Sequence, residues 1–440
     1  MAPRDFRGFL ALLETSGELR TVDEEISLAY DLAGRVKAAE ARENPAWLFR
    51  NVRGHTIPVA AGLYGSTPRH LLGLRMTSMD EFADRLRAAI NRPLEPVEVD
   101  ASEAPAREVV YPPEFGLDRF PIPVHFPGDA GPYITSGVVT LQVAGRRNAG
   151  VYRVQVHGPR ELTIFVNRFK DGARALEDAE RRGTPVDVAI SIGVDPAVFV
   201  AAMWPAPSHV DEFGAAGALM GEPLAITRGL TVGVAYPAHA ELVIEGRIRP
   251  GNTRWEGPFA DITVQSTSAG WRPVIDVLAV TSRRNPIYHT VLACDSREHF
   301  KSRNNDFWRD YQTRGRLRIP ELEALGACDV YFPPAGVNFH AIVAVRTHDA
   351  EVPQKVMDVM FRTFRYLKQV IVVDADVDIR DHTQVEWAVA TRVGRSDQLV
   401  MTTGPGSALD TSSEGDVLKL GIDATVRTRQ SISNGGDCVA

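Results

Sequence analysis

The stretch SGVVTLQVAGRRNAGVYRVQVHGPRELTIFVN, residues 136–167, contains three runs that are rich in β-branched and other strand-forming residues. The runs cover residues 136–143, 150–156 and 161–167, and Gly or Pro residues separate them. Runs of this length between turn residues are typical of strands joined by short connections. Further strands are predicted at residues 186–192, 240–247 and 271–282. Together they indicate an α+β region with a barrel-like sheet between about residues 124 and 290.

The segments on either side of this region have other patterns. Residues 1–90 combine apolar residues at helical spacing with two short alternating runs, which predicts a helix-rich α/β segment. Many prolines and little periodicity predict a linker at residues 91–123. After about residue 320, strands and helices alternate, which predicts a sheet covered by helices. Residues 404–440 are rich in Gly, Ser, Thr and Asp and predict an extended tail.

Composition excludes several classes of protein. The 440 residues contain 49 Lys and Arg against 56 Asp and Glu, a formal net charge of −7, which argues against broad nucleic-acid binding. No apolar run approaches the roughly 18 residues that cross a bilayer, and the N-terminus has no signal-like apolar core. The 3 cysteines lie far apart, as in proteins of reducing compartments. We therefore expect a cytoplasmic protein without a membrane or nucleic-acid partner.

Two polar groupings are candidates for chemistry. Glu256 and Asp261 flank a Gly-Pro turn, and a carboxyl group close to a second carboxylate holds its proton more strongly, as a proton donor requires. The alternative is a surface turn with two solvated acids. Arg153 and Gln155 share one face of a predicted strand, where Arg can grip a carboxylate with two hydrogen bonds. The alternative there is an exposed sheet face.

Other polar residues have two interpretations each. Glu212 precedes a helix of small residues, where it serves either as a helix-terminal charge or as a hard-metal ligand. Lys368 either binds phosphate or ends a helix. His289, His299 and Arg303 either contact a substrate or are structural or solvated. The sequence lacks the usual nucleotide-loop, zinc-protease and serine-hydrolase motifs.

Eight segments, in their order and spacing, carry a family resemblance. The chain resembles the UbiD-type decarboxylases, which use prenylated FMN, from its N-terminus to Thr425. The segments are DAGPYIT at 129–135, NAGVYRVQ at 148–155, EFGAAGALMG at 212–221, EGPFAD at 256–261, NPIYH at 285–289, VVDADVD at 372–378, WAVATR at 387–392 and GIDAT at 421–425.

The resemblance implies a multidomain α+β and α/β fold. An N-terminal α/β domain would cover residues 1–108, and a central split β-barrel that binds prenylated FMN would cover residues 109–310. A C-terminal α/β domain, residues 311–440, would drive oligomerisation and end in the extended tail. The predicted linker and the change of pattern near residues 300–320 agree with this division.

The resemblance also implies roles for particular residues. Arg153 would orient the substrate carboxylate, Glu256 would donate the proton and Asp261 would support them. Asn148 and Glu212 would bind a divalent metal, manganese or magnesium, with potassium as a further candidate ion. The implied cofactor contacts are Asn148, Val151, Tyr152, Arg153, Gln155, Arg168, Lys170, Glu212 and Lys368.

Two positions depart from the family pattern. Phe169 stands where the family has a third metal ligand, a His. Either Asn167 or water completes the site, or Lys170 or Arg168 meets the cofactor phosphate directly, or the metal is weakly held. Ala260 stands where Gly is usual, and we expect it to reshape the turn that aims Asp261.

The implied activity is a reversible, non-oxidative decarboxylation of an aromatic or heteroaromatic carboxylic acid. His289, His299 and Arg303 would contact the substrate. An aryl-acrylic or polyketide-type α,β-unsaturated acid is the alternative substrate, and an inactive flavin-binding or assembly protein or an FMN reductase-like protein is the alternative class. The implied partners are the acid, CO2, a flavin prenyltransferase that supplies the cofactor, and further copies of this chain in a homodimer or homohexamer.

Overall fold

The structure is a computed structural model, and its described residues form two compact units. It describes residues 3–167, 170–204, 206–264, 266–267, 269–299, 302–316, 319–346, 349–407, 409–410, 412 and 415–426. One unit comprises Met1–Trp308 with Ala408–Thr411, and the other comprises Arg309–Ser407 with Ser412–Ala440. The division into three domains therefore stays a prediction.

The described residues form α-helices and strands that alternate along both units. The helices are α1 Phe6–Thr15, α2 Asp31–Glu40, α3 Thr67–Leu74, α4 Met79–Asn91, α5 Asp171–Arg182, α6 Pro196–Met203, α7 Glu212–Met220, α8 Asp306–Arg316, α9 Pro320–Ala324, α10 Val352–Thr363 and α11 His382–Arg392. None of these described helices is long and apolar enough to span a membrane.

The strands are shorter at the N-terminus and longest in the middle of the chain. They are β1 Leu19–Val22, β2 Ala46–Phe49, β3 Val59–Ala61, β4 Val97–Glu98, β5 Val109–Val110, β6 Tyr133–Ile134, β7 Val138–Val143, β8 Arg146–Val151, β9 Arg153–Gly158, β10 Glu161–Phe165, β11 Val186–Ile192, β12 Ala225–Arg228, β13 Ala235–Pro237, β14 Leu242–Glu256, β15 Phe259–Ala260, β16 Ser266–Thr267, β17 Gly270–Ser282, β18 Tyr288–His289, β19 Ala327–Tyr331, β20 His340–Val345, β21 Gln369–Asp374, β22 Leu399–Pro405 and β23 Asp416–Ala424.

Nine of the described strands form the main sheet of the first unit. Its order is β6-β9-β10-β17-β14-β11-β7-β8, with β5 paired to β17, and neighbouring strands are antiparallel. Val139, Ile190 and Ile244 lie opposite one another on neighbouring strands and are completely buried. Such rows of branched side chains hold the register, because a slip of one residue would move them to the other face. The predicted α+β character of this region is confirmed, whereas the split barrel stays a prediction.

Local sequence determines where the helices beside this sheet begin. The Asp195 carboxylate accepts a hydrogen bond from the Ala197 amide at 2.7 Å and caps α6. Asp211 caps α7 in the same way, through the Phe213 amide at 3.0 Å, and so Glu212 falls in the first turn. A capping carboxylate satisfies amides that have no partner within the helix. Glu212 is thereby fixed against β8.

The second unit contains a five-stranded sheet among its described residues, in the order β19-β20-β21-β23-β22. Val370 and Val372 of β21 pack into the cluster that includes α10, and Ile371 and Val373 pack into the cluster that includes α11. Both faces of β21 are therefore buried, as is usual for a central parallel strand. The predicted sheet with helices packed on it is confirmed.

The prediction of an extended tail at residues 404–440 is wrong for residues 404–405, which end β22, and for residues 416–424, which form β23. Residues 399–405 form β22 and residues 416–424 form β23, and β23 pairs with both β21 and β22. The inward positions of β23 include Lys419, whose ammonium donates to the Arg365 and Leu367 carbonyls at 3.0 and 2.7 Å. They also include Asp423, whose carboxylate accepts from the Thr425 amide at 3.0 Å. A strand with polar residues on its buried side lacks the apolar alternation that identifies strands.

Candidate active site

A pocket lies in the first unit beside β8, β9 and β15. Its polar lining includes Thr135, Arg153, Asn167, Lys170, Asp261 and His299, and its apolar lining includes Val151, Phe165, Phe199, Met203, Phe259 and Val291. This combination of apolar walls with a few convergent polar groups is typical of small-molecule and cofactor sites.

Arg153 is the charged centre of this pocket. It is the first residue of β9, and its guanidinium carbon lies 4.2 Å from the ring centre of Phe165 and 5.2 Å from that of Phe259. Its Nη1 donates to Asp261 Oδ2 at 3.2 Å and to the Thr267 hydroxyl. The two rings and the hydrogen bonds fix the planar guanidinium, whose forked donors suit carboxylates.

Two buried carboxylates meet this guanidinium from different elements. Glu256 ends β14, and its Oε2 accepts from Arg153 Nη2 at 3.0 Å, while its Oε1 lies 3.0 Å from Nε. Asp261 follows β15 and also accepts from the Ile262 amide at 2.8 Å. Arg272 Nε lies 3.7 Å from Glu256 and adds a second positive charge. The structure thus brings together the predicted Arg153, Glu256 and Asp261.

The two acids differ in their access to the pocket. Asp261 is part of the lining, whereas Glu256 is 1% exposed and is not part of the lining that the structure describes. Ala260 is not among the described non-glycine residues with a positive φ, and its amide donates to Asp129 at 2.8 Å. The backbone at Ala260 therefore suits any residue, and the expectation that Ala260 reshapes this turn relative to the family pattern stays a prediction.

Asn148 and Glu212 lie together at the junction of β8 and α7. Asn148 Nδ2 donates to Glu212 Oε1 at 2.8 Å, and the Ala149 amide donates to Oε2 at 3.0 Å. Burial raises the pKa of Glu212 to about 7 against the effect of that amide. Asn148 Oδ1 is buried and has no hydrogen-bond partner among the residues that the structure describes. An unpartnered amide oxygen beside a carboxylate is a donor set that suits a hard divalent cation, so these residues fit the implied metal.

The structure tests this metal site only in part. The described residues contain no cluster of three or more His, Cys, Asp and Glu side chains suited to a metal. Arg168 and Phe169 lie outside the described residues. The alternatives for completing the site stay open for that reason.

The other predicted cofactor residues occupy three places. Val151, Tyr152 and Lys170 line the pocket, and Gln155 is buried on the same strand as Arg153. Lys368 belongs to the second unit, where its ammonium donates to the Ser412 hydroxyl at 2.7 Å. The structure therefore places most of the predicted cofactor residues in or beside one pocket, and the role of Lys368 stays a prediction.

The structure places the three predicted substrate residues in different environments. His299 lines the pocket. His289 is 1% exposed in a cluster of aromatic rings that includes Phe6 and Tyr64, and burial lowers its pKa to about 3. Arg303 pairs with Asp295 at 2.8 Å and is 43% exposed. Among these three residues, only the placement of His299 supports a substrate contact.

Sequence reasoning missed three residues of the network. Tyr133 lies 3.0 Å from Glu256, Thr267 accepts from Arg153, and Arg272 adds the second cation. Tyr133 belongs to the DAGPYIT segment, which carries part of the family resemblance and could therefore have identified Tyr133 as a site residue. Thr267 and Arg272 occur in strands without a distinctive motif, and only the pairing of β15 with β16 and of β14 with β17 brings them here.

Comparison with protein families assigns the whole chain to one class. Three models of 3-octaprenyl-4-hydroxybenzoate carboxy-lyase match it: the N-terminal domain at residues 10–88, the Rift-related domain at 97–296 and the C-terminal domain at 315–424. The chain belongs to the UbiD family of carboxy-lyases. An uncharacterized protein of Archaeoglobus fulgidus is 34% identical, with 98% of this chain and 93% of the relative covered.

Solved structures of the same class are similar along the full length. The UbiD-class enzyme HmfF from Pelotomaculum thermopropionicum, in complex with FMN, is 32% identical, with a TM-score of 0.84 and coverage of 99% of this chain and 97% of that one. An evolved dimeric form of HmfF, with prFMN, has a TM-score of 0.81 at 33% identity and coverage of 96% and 95%. The closed form of vanillic acid decarboxylase from Sedimentibacter hydroxybenzoicus has a TM-score of 0.85 at 27% identity and coverage of 100% and 96%.

Proposed function

We propose that this chain catalyses the reversible, non-oxidative decarboxylation of an aromatic or heteroaromatic carboxylic acid with prenylated FMN. The observation that carries the proposal is the buried ion-pair network of Arg153, Glu256 and Asp261 at the wall of an apolar pocket. A fixed cation in an apolar cavity binds a substrate carboxylate, and a carboxyl group beside it supplies a proton. Membership in a carboxy-lyase family supports the same reaction.

Arg153 would orient the substrate, and one of the two acids would complete the reaction. Loss of CO2 leaves an electron pair on the ring carbon, and that carbon must then be protonated. Asp261 lines the pocket and has the direct path to the carbon, whereas Glu256 reaches it only if its side chain turns toward the pocket. The lining therefore favours Asp261 over Glu256, the donor expected from the sequence, for the last proton transfer.

Prenylated FMN would supply the electron sink that this bond cleavage requires. Val151, Tyr152 and Lys170 would contact it from the pocket wall, and Asn148 and Glu212 would hold a manganese or magnesium ion. HmfF is a relative whose structures contain FMN and prFMN. We also propose that a flavin prenyltransferase supplies the cofactor, because an ordinary flavin lacks the prenyl modification.

His299 supports a substrate with a second polar group. It lies in the lining together with Phe165, Phe199 and Phe259, whose faces suit a flat ring. A ring that carries one further hydrogen-bonding group could place that group against His299 while its carboxylate faces Arg153. This arrangement favours a heteroaromatic or phenolic acid over an aryl-acrylic acid.

We propose in addition that the chain assembles into a homodimer or homohexamer. Leu399, Met401 and Leu418 of β22 and β23 are 43%, 70% and 58% exposed on one face of the second unit. Exposed apolar side chains grouped on a strand pair at the edge of a sheet are typical of contact surfaces. The evolved HmfF is a relative described as dimeric.

Isosteric amide variants test the roles of the acids. In D2O, Asp261→Asn should lower CO2 release and deuterium incorporation at the vacated carbon by about 100-fold or more, since a general acid contributes about that factor. Glu256→Gln should lower CO2 release and deuterium incorporation by a smaller factor than Asp261→Asn, because Asp261 is the proposed direct donor. Glu161→Gln, on the exposed pair with Arg254, is the control. Full rates and full deuterium incorporation in both Asp261→Asn and Glu256→Gln would contradict the assignment.

A further inference from the structure

The hydroxyl group of Tyr133 lies between two acceptors in the network behind the pocket. It is 3.0 Å from Glu256 Oε1 and 3.1 Å from Gln155 Oε1. Tyr133 is completely buried in β6, directly opposite Gln155 of β9, and its ring packs on Phe259 with 4.4 Å between the ring centres. Two strands and one ring thus fix the phenol, and only its hydrogen atom is free to turn.

The amide of Gln155 has one orientation that satisfies its neighbours. Its Oε1 accepts from the Gly257 amide at 3.0 Å, and its Nε2 donates to the Ala130 carbonyl at 3.2 Å. The reversed amide would place NH2 against the Gly257 N–H and an oxygen against the Ala130 carbonyl, and each unsatisfied buried group costs about 1–3 kcal/mol. Gln155 therefore always presents an acceptor to the Tyr133 hydroxyl.

One hydroxyl with two acceptors can satisfy two protonation states of Glu256. When Glu256 is ionised, Tyr133 donates to its Oε1. When Oε1 carries a proton, that proton is donated to the phenol oxygen, and Tyr133 turns its own hydrogen to Gln155. Tyr133 gains and loses no proton in this exchange, and burial together with the charge of Glu256 raises its pKa well above the ordinary tyrosine value.

We propose that Tyr133 is a positioning residue that keeps the buried Glu256 carboxyl hydrogen-bonded in both its ionised and its protonated state, with Gln155 as the second acceptor. A buried acid in a proton-transfer network needs this property, because any change of its charge would otherwise leave a buried oxygen without a hydrogen bond. This role extends the proposed function. The pH profile of CO2 release rests on the proposed function, whereas the infrared titration of Glu256 does not.

Several charged or titratable groups also act on Glu256, in addition to the neutral Tyr133 hydroxyl. Arg153 and Arg272 contact it from β9 and β17, and Asp261 shares Arg153 with it. Asp129 and His157 act on the cluster through longer-range electrostatic interactions. All of them are retained when only the phenol oxygen is removed, so a change after that removal reports on Tyr133 itself.

Infrared spectroscopy of the cofactor-loaded enzyme tests this directly. The carboxyl band that disappears in Glu256→Gln is followed against pH in wild type, Tyr133→Phe and Tyr111→Phe. Tyr111 is the control, since its hydroxyl lies 3.0 Å from Ser282 outside the network. Tyr133→Phe removes a hydrogen bond from both states of Glu256. The bond to the ionised carboxylate is charge-assisted and therefore stronger, so the pH midpoint of the band should rise by about one unit, a tenfold change in ionisation. Tyr111→Phe should leave the midpoint unchanged.

A second variant should shift the pH midpoint in the opposite direction, so the test stays decisive if one of the two variants folds poorly. Gln155→Leu leaves Glu256 as the single acceptor for the hydroxyl, so the ionised form gains and the midpoint should fall. The pH profile of CO2 release should move in the same directions. Equal midpoints in wild type, Tyr133→Phe and Gln155→Leu would overturn the proposal. If the wild type released no CO2 from any acid, the proposed function would fail, while the infrared titration would still decide the role of Tyr133.

Discussion

Arg153 stabilises two buried acidic side chains, Glu256 and Asp261, whose burial without a cation would be unfavourable. Its guanidinium contacts the buried Glu256 and Asp261, and the half-buried Arg272 adds a second cation, so two basic and two acidic side chains meet here. A buried carboxylate without such a partner costs several kcal/mol. The arrangement at this site therefore depends on the planar shape of Arg153 as much as on its charge.

Arg153→Lys should lower kcat/KM for decarboxylation by about 100-fold, because a single ammonium cannot bond both carboxylates and Thr267 at once. Steady-state kinetics on the cofactor-loaded enzyme measures this change. Arg254→Lys is the matched control, since Arg254 lies two residues from Glu256 on the same strand but pairs with Glu161 at the surface. Wild-type kcat/KM in Arg153→Lys would show that bidentate geometry is not needed.

At the scale of elements, the segment of residues 291–299 forms one wall of the pocket and is held by Glu298. The Glu298 carboxylate accepts from the amides of Gly62 and Leu63 at 2.9 Å each and from that of Leu292 at 3.1 Å. His299 is the next residue along the chain and lines the pocket. Glu298 thus connects the loop after β3 to the wall that carries His299.

Glu298 should make stability depend on pH. Burial raises its pKa from 4.5 to about 7, so the folded state binds this proton more tightly than the unfolded chain. The stabilising contribution is therefore fully present below about pH 4.5 and is lost as pH rises through about 7, a difference on the order of 3 kcal/mol.

Thermal unfolding of wild type and Glu298→Gln across this range measures the contribution. The variant does not titrate, so the Tm of wild type minus that of the variant should decrease between about pH 5 and about pH 8. A constant difference would show that Glu298 titrates alike in the folded and unfolded states.

The elements also show why some predictions held and others failed. The strand expected at 186–192 is confirmed, because Val188, Ile190 and Ile192 alternate along it on one completely buried face. Arg153 and Gln155 do share a strand, as alternation predicted. β23 was missed because Lys419 and Asp423 occupy its inward positions, where their polar groups are satisfied by backbone and neighbouring groups.

At the scale of the whole molecule, each unit contains its own hydrophobic clusters. In the first unit a cluster packs against the nine-stranded sheet formed by described residues, and in the second unit two clusters cover the opposite faces of β21. The pocket and the Arg153 network lie in the first unit. The family assignment extends over both units, so the proposed activity belongs to the full chain.

The most direct test of the central claim is CO2 release from a panel of aromatic and heteroaromatic acids by the full chain. The protein is produced once with and once without a flavin prenyltransferase, and the bound flavin is identified by mass. We predict CO2 release from at least one acid only by protein that contains prenylated FMN, and its loss in Asp261→Asn. Equal activity with plain FMN, or no release from any acid by protein loaded with prenylated FMN, would contradict the account.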